Sequence, residues 1–242
     1  MAVDEALMES VRADGRPVLR IYRWSPPCLS LGRNQPALGQ YDQRALAEAG
    51  IDIVRRPTGG RAVLHDHELT YSVVISAGSL GSPRAAYTAI NRALVSGLRS
   101  LGVDVEVQPS NPVPVPVPSL APCFRDPAEG EVVARGRKLV GSAQCREKGT
   151  VLQHGSLLLS GDQRRVTDYL AADQHRDQEA PAVLMDLLPS IPSWEELRTA
   201  VLHGWHTVLG ARPIPEELTS LESDRAAALT RRYSDPAWTW RL

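Results

Sequence analysis

Between Arg55 and Asp66 the chain reads Arg-Arg-Pro-Thr-Gly-Gly-Arg-Ala-Val-Leu-His-Asp. Ile51 to Val54 before it and Leu69 to Ile75 after it are apolar runs that read as buried strands. A loop of this kind brings glycine backbone N–H groups and positive charge to the end of a sheet. That suits an anion, or a carbonyl that develops negative charge. The same residues also fit a β-hairpin turn flanked by surface arginines, so the choice falls to the rest of the sequence.

Composition narrows the choice. The chain has 242 residues, 43% of them hydrophobic, enough for a full core without covalent staples. One Phe against five Trp and six Tyr leaves most of that core to aliphatic side chains. Net charge is −1 and no Lys/Arg block exceeds a pair, so the footprint of a nucleic-acid binder is absent. Cys28, Cys123 and Cys145 make no C-x-x-C and no zinc spacing with the histidines, which argues for a reducing compartment and no metal. The start, Met1-Ala2-Val3-Asp4-Glu5-Ala6-Leu7, is acidic and unlike a signal or transit peptide. No apolar stretch approaches membrane-spanning length. The expectation is a cytoplasmic protein without a membrane partner.

Periodicity predicts the elements. Val3, Leu7, Met8 and Val11 sit at helical spacing before Gly15. Val18 to Trp24 and Cys28 to Leu31 read as strands split by Pro26-Pro27, and Gln43 to Ala49 as a short helix ended by Gly50. Ser82-Pro83 opens the clearest helix, with Tyr87, Ile90, Leu94, Leu98 and Leu101 on one face and Gly102 as its stop. Val103, Val105 and Val107 alternate as in a strand. Residues 111–122 alternate Pro and Val and read as a stiff extended loop that delivers Cys123. Residues 131–134, 138–145 and 151–159 predict three strands turning at Arg135-Gly136 and Lys148-Gly149. Beyond them, 165–170, a capped helix from Ser193 and a helix over 215–233 are expected. Strands and helices without regular alternation indicate α+β with one main sheet.

Two residues stand out for chemistry. Cys123 lies in Ala-Pro-Cys-Phe, and Lys138 follows fifteen residues later in Gly-Arg-Lys. If the two meet, a lysine ammonium beside the thiol stabilises the thiolate and makes it an acyl acceptor near neutral pH. Lys138 reads equally as a solvated hairpin charge, and a cytosolic cysteine as a small buried hydrophobe. Gly141-Ser142-Ala143 leaves room in mid-strand for a ligand, or for packing against the 82–102 helix. His154, before Gly155, reads as structural, as a support for the loop carrying Cys123, or as a partner of an acyl carbonyl. His65 and Asp66, as strand neighbours, point to opposite faces and make a poor relay. Cys28 and Cys145 read as core, and His175, His203 and His206 as surface. Neither G-x-x-x-x-G-K-[ST] nor G-x-G-x-x-G occurs.

These motifs resemble a known superfamily, the lipoate–protein ligases, octanoyltransferases and biotin–protein ligases. Arg55 to Asp66 is similar to its R-R-x-[ST]-G-G-x-A-V-x-H-D signature. Gly136-Arg137-Lys138-Leu139-Val140-Gly141-Ser142-Ala143-Gln144 resembles its lysine motif, and Leu152-Gln153-His154-Gly155-Ser156 the strand that follows. Asp4-Glu5-Ala6-Leu7 and Ser25 to Gln35 look like family text as well. Pro122-Cys123-Phe124 before Lys138 resembles the Gram-positive type of octanoyltransferase. The resemblance implies an α+β biotin/lipoate-ligase-like domain over 1–242, a mixed sheet flanked by helices. It implies transfer of an octanoyl chain from acyl carrier protein to a lysine of a lipoyl-domain or glycine-cleavage H-type protein. Cys123 and Lys138 would be catalytic. Arg56, Gly59, Gly60, Ala62, Val63, His65, Gly141, Ser142, Ala143, His154 and Gly155 would bind substrate. That reaction requires no cofactor. The alternatives are an ATP- and Mg-dependent ligase forming lipoyl-AMP, and a non-catalytic lipoyl-binding or half-ligase subunit.

Overall fold

The computed structural model describes residues 1–109, 123–124, 127–171 and 179–242. The expected proline loop over 111–122 and His175 lie outside them. Among the described residues, two apolar strands form the centre of the larger sheet: β5 (Glu68–Ser76) and β9 (Thr150–Leu158). Around them pair β1 (Val18–Tyr22), β6 (Glu106–Val107), β7 (Val132–Ala134) and β8 (Arg137–Glu147), in the order β1-β5-β9-β8-β7-β6. Every pairing in this sheet is antiparallel. β5 is buried on both faces along most of its length: Leu69, Tyr71, Val73 and Ile75 face the main core, while Glu68, Thr70 and Ser72 are buried polar residues on the other face.

The expectation of one main sheet needs correcting. β2 (Cys28–Leu31), β3 (Asp52–Arg55) and β4 (Val63–His65) form a separate three-stranded sheet in the order β3-β2-β4. β2 runs parallel to β3 and antiparallel to β4, so the mixed pairing belongs here. Pro26 and Pro27 lack the N–H that would continue a ladder, and the chain leaves the first sheet there. β4 has only three residues and is hidden inside the Gly-Gly loop text.

Helices cover the larger sheet from both sides. α3 (Pro83–Ser100) is capped by Ser82, whose Oγ accepts from the Ala85 N–H. α4 (Trp194–Leu209) opens on the expected capping box, Ser193 with Glu196. Ile90, Leu94, Leu98, Leu197, Val201 and Trp205 from these two helices pack on Tyr71, Val73, Leu139 and Leu157. On the opposite face α1 (Ala2–Asp14) sets Leu7, Met8 and Val11 against Val74 and Leu152. Asp4 of α1 is fully buried and accepts from Arg20 at 3.0 Å and Ser72 at 2.9 Å, which pins the helix to β1 and β5. α2 (Gln43–Glu48) helps close a second core, with Leu29, Leu31, Leu46, Leu64 and Tyr169. The smaller sheet lies over this same face of the larger one and leaves a cleft between them.

Other boundaries shifted for local reasons. Val103 and Val105 are buried in the core, but only Glu106–Val107 finds a strand partner. The expected 165–170 helix is a 3₁₀ segment, Gln163–Tyr169. α5 (Ser220–Tyr233) starts at a second capping box, Thr219 with Glu222, so Leu218 precedes it and Leu221 faces outward. α6 (Pro236–Thr239) follows, capped by Asp235. Among the described residues no helix is long and apolar enough to cross a membrane.

The α3–α4 crossing depends on two glycines. A Cβ on Gly204 would stand 1.9 Å from the Ala93 carbonyl oxygen, and one on Gly97 2.3 Å from that of Ala200. Gly204→Ala forces the helices apart and is expected to lower stability by about 2 kcal/mol or more, read as a fall in the urea midpoint at unchanged m-value.

Candidate active site

The β7–β8 hairpin turns through Arg135 and Gly136, both at positive φ (50° and 74°), as a tight antiparallel turn requires. This turn brings Glu131 and Lys138 onto one hairpin. Lys138 is 3% exposed and its Nζ donates to Glu131 Oε1 at 2.6 Å and to the Cys123 carbonyl oxygen at 2.8 Å. Its distance to Cys123 Sγ is 3.6 Å. Lys138 and Cys123 therefore meet, and the solvated-hairpin alternative for the lysine falls. Burial opposes the ammonium charge, but the facing Cys123 and Glu131 outweigh it and hold the Lys138 pKa above the ordinary lysine range.

Glu131 was missed as a site residue. It is 4% exposed, and its second carboxylate oxygen accepts from the Ala128 N–H at 2.8 Å. A signal existed: an acidic residue abuts an apolar strand whose hairpin partner carries the lysine. Cys123 is fixed from the other side. Its N–H donates to the Ala62 carbonyl at 3.0 Å, and Phe124, the only Phe of the chain, is buried with Val63, Leu158 and Val183. By contrast, burial raises the Cys28 thiol to about 12 and the Cys145 thiol to about 11, in keeping with core roles.

The Gly-Gly loop works differently from the anion cradle its residues suggested. Arg56 is buried and donates to the carbonyls of Ser30 at 2.9 Å, Gly59 at 2.8 Å and Arg61 at 2.7 Å. Arg55 is fully buried and donates to the carbonyls of Thr239, Gly32 and Gln35. Both guanidiniums are thus turned chiefly to backbone carbonyls, with Arg55 Nη2 unpaired among the described residues and Arg56 also donating to the Ser30 hydroxyl. Loop carbonyls turn inward to Arg56, and Gly60 is exposed. Gly60 has φ 92°, and a Cβ on Gly32 would stand 1.8 Å from its carbonyl oxygen, so glycine is required by the packing of two loops.

Between the sheets lies a cleft of about 340 Å³, its mouth included. Of the expected binding residues, Arg56, Val63, His65, Gly141, Ser142, Ala143, His154 and Gly155 line it. Gly59, Gly60 and Ala62 do not: the Gly59 and Ala62 carbonyls accept from Arg56 and from the Cys123 N–H, and Gly60 packs against Gly32. Ser142 spends its hydroxyl on Tyr71 and Asn91, away from the cleft toward α3. Gly155 is needed because a Cβ there would stand 2.4 Å from the Gly141 carbonyl oxygen. His65 donates to Glu68 at 2.7 Å, contacts Ser30 at 2.7 Å and stacks on Trp24. His154 holds the Gly-Gly loop rather than the loop of Cys123: it contacts the Thr58 hydroxyl at 2.6 Å. Burial lowers its pKa below the ordinary imidazole range against the pull of Asp4, so the neutral ring accepts from Thr58. His203 and His206 are exposed on α4, and among the described residues no cluster of three or more His, Cys, Asp or Glu could hold a metal.

Two sheets enclosing a cleft that reaches a thiol beside a buried lysine, with a glycine-rich loop behind one wall, define a class of α+β enzyme domain. Residues 1–200 match the lipoyl protein ligase A/B catalytic domain, and the chain belongs to that family. Among its relatives, the Octanoyltransferase LipM of Kyrpidia tusciae is 43% identical over 100% of this chain and 93% of its own. The Octanoyltransferase LipM of Staphylococcus aureus is 34% identical with the same coverage. A putative lipoate protein ligase from T. acidophilum, solved with bound lipoic acid, superposes with a TM-score of 0.81 at 28% identity, covering 100% of this chain and 92% of that one. A lipoate-protein ligase A bound with ATP gives 0.82 at 28%, covering 99% and 92%.

Arg56→Lys keeps the charge but loses the planar fork across three carbonyls, and a cost of about 2 kcal/mol in the denaturation midpoint is expected. For His154, the folded pKa lies below the unfolded value of about 6.5, so its stabilisation is complete above that pH and is lost as pH falls toward the folded value. His154→Gln keeps an acceptor for Thr58, and melting curves at about pH 5.5 and 7.5 should show a smaller difference in that variant than in wild type.

Proposed function

We propose that the protein is an octanoyltransferase of protein lipoylation that works through a Cys123 thioester. The observation that carries this reading is the 3.6 Å contact of Lys138 Nζ with Cys123 Sγ at the end of the cleft. Relatives named Octanoyltransferase LipM, aligned over the whole chain, support it, and they support reading 1–242 as one catalytic unit.

In the first step the Cys123 thiolate attacks the thioester carbonyl of octanoyl–acyl carrier protein. A new C–S bond forms, the carrier's C–S bond breaks, and the carrier leaves as a thiol after taking a proton. In the second step the neutral amine of the acceptor lysine attacks the acyl-enzyme. The amide forms, Cys123 leaves as thiolate, and the nitrogen's proton passes to solvent. Lys138 stabilises Cys123 as attacking and as leaving anion. Its pairing with Glu131 favours an ammonium that stays charged through both steps over one that gives up and regains a proton. The acceptor is a lipoyl-domain or H-type protein; a related bi-partite lipoate protein ligase has been solved with its E2 lipoyl domain. In the ATP-dependent alternative the lysine would serve a phosphate, whereas here its donors face Cys123 and Glu131.

Intact-mass spectrometry after mixing with octanoyl–acyl carrier protein, without ATP, tests the reading. One octanoyl adduct is expected, absent from Cys123→Ala. No adduct, with acceptor modified only when ATP and free acid are supplied, would sink it in favour of the ligase. Glu131→Gln should slow adduct formation of the folded enzyme by roughly 100-fold and also lower its melting temperature, since the buried Lys138 ammonium loses its carboxylate, and Glu131→Asp should recover part of both losses.

A further inference from the structure

Four residues in direct register cross the larger sheet along the cleft. Gly141 of β8 pairs Ser156 of β9, Ser156 pairs Thr70 of β5, and Thr70 pairs Tyr22 of β1. All four line the cleft. Gly141 marks the reacting end, because a Cβ there would stand 3.2 Å from Lys138 Cε and 2.9 Å from the Phe124 ring. Side-chain bulk then rises strand by strand, from Gly to Ser to Thr to Tyr.

The far end is closed by packing and by buried hydrogen bonds. Thr70 accepts from Trp24 Nε1 at 2.9 Å and donates to Glu68 Oε1. Ser156 donates to the same Glu68 oxygen at 2.9 Å. The Tyr22 ring has the Arg20 guanidinium over it at 3.7 Å and Trp24 beside it at 5.9 Å. A chain running past Thr70 would have to displace the Tyr22 ring and part buried hydrogen bonds. From β8 to β5 is two strand spacings, roughly 9.6 Å, close to the reach of an extended eight-carbon chain.

We propose that this row measures the acyl chain, with Thr70 and Tyr22 as the end wall that stops it at about eight carbons. The proposal rests on the octanoyl-transfer reading. The Tyr22 hydroxyl has no hydrogen-bond partner of ordinary geometry among the described residues, so shortening Tyr22 removes chiefly its ring and the contact with the Arg20 guanidinium. Ser156, one strand from the reacting end, is the place to shorten the cleft.

The experiment measures Cys123 acylation by hexanoyl-, octanoyl- and decanoyl-pantetheine thioesters, with calorimetric binding of the matching free acids. Wild type is expected to take octanoyl about tenfold faster than decanoyl, and to bind octanoate more tightly than decanoate. Tyr22→Ala should raise the decanoyl-to-octanoyl ratio about tenfold, and Ser156→Val should lower the octanoyl-to-hexanoyl ratio by a similar factor. Tyr22→Leu replaces Tyr22→Ala if the latter fails to melt cooperatively. Ratios unchanged in both variants, or a wild type indifferent to decanoyl, overturn the proposal. If no thioester acylates wild type, the transfer reading fails. The binding data then decide chain length alone: a shift toward decanoate in Tyr22→Ala sustains the end wall, and equal affinities or no binding overturn it.

Discussion

The buried guanidinium of Arg56 holds this site together. It gathers the carbonyls of Ser30, Gly59 and Arg61 around one charge, tying the smaller sheet to the loop that follows it. A charge so deep is stable only because its donors find fixed acceptors. The loop it shapes offers the Ala62 carbonyl to the Cys123 N–H, and that bond sets the thiol beside Lys138. The wall of the cleft and the place of the Cys123 thiol thus trace back to one buried cation whose donors are taken by backbone carbonyls.

Lys138 has the complementary role. Its ammonium is as buried as Arg56, yet it sits between a carboxylate and a sulfur. Glu131 keeps the charge on the lysine and restricts where the charge can point. The hairpin turn at Arg135-Gly136 makes this possible, because it returns the chain so that residues seven apart face one another. Asp4, His154 and Thr58 give a third link, from α1 through β9 to the Gly-Gly loop. Three polar ties thereby fix one loop against a sheet while leaving a narrow apolar passage beside it.

The larger elements were legible because their signals are local. Ser82-Pro83 and Ser193 with Glu196 start helices where their capping chemistry says they should. Lys148-Gly149 turns the chain between β8 and β9 as read. What was misread depended on partners distant in sequence. β4 is three residues long and is a strand only because β2 lies alongside. Gly59 and Gly60 looked like groups aimed at an anion, but the direction of their carbonyls is set by Arg56. Ser142 lines the cleft, and only packing against β5 and α3 decides that its hydroxyl turns to Tyr71 and Asn91.

By itself the sequence determined the α+β class and the family motifs and singled out Cys123 and Lys138 as the proposed reacting pair, since these rest on residue types and short spacings. Only the tertiary structure decided that Cys123 and Lys138 touch, that Glu131 joins them, and that a second sheet roofs the cleft. The reason is physical. Contact between residues on different strands follows from register, from which side chains can be buried together, and from where each buried charge finds its acceptors. The Arg55 to Asp66 segment names the family, but its arginines serve the backbone, a role that only the folded arrangement of carbonyls around them gives.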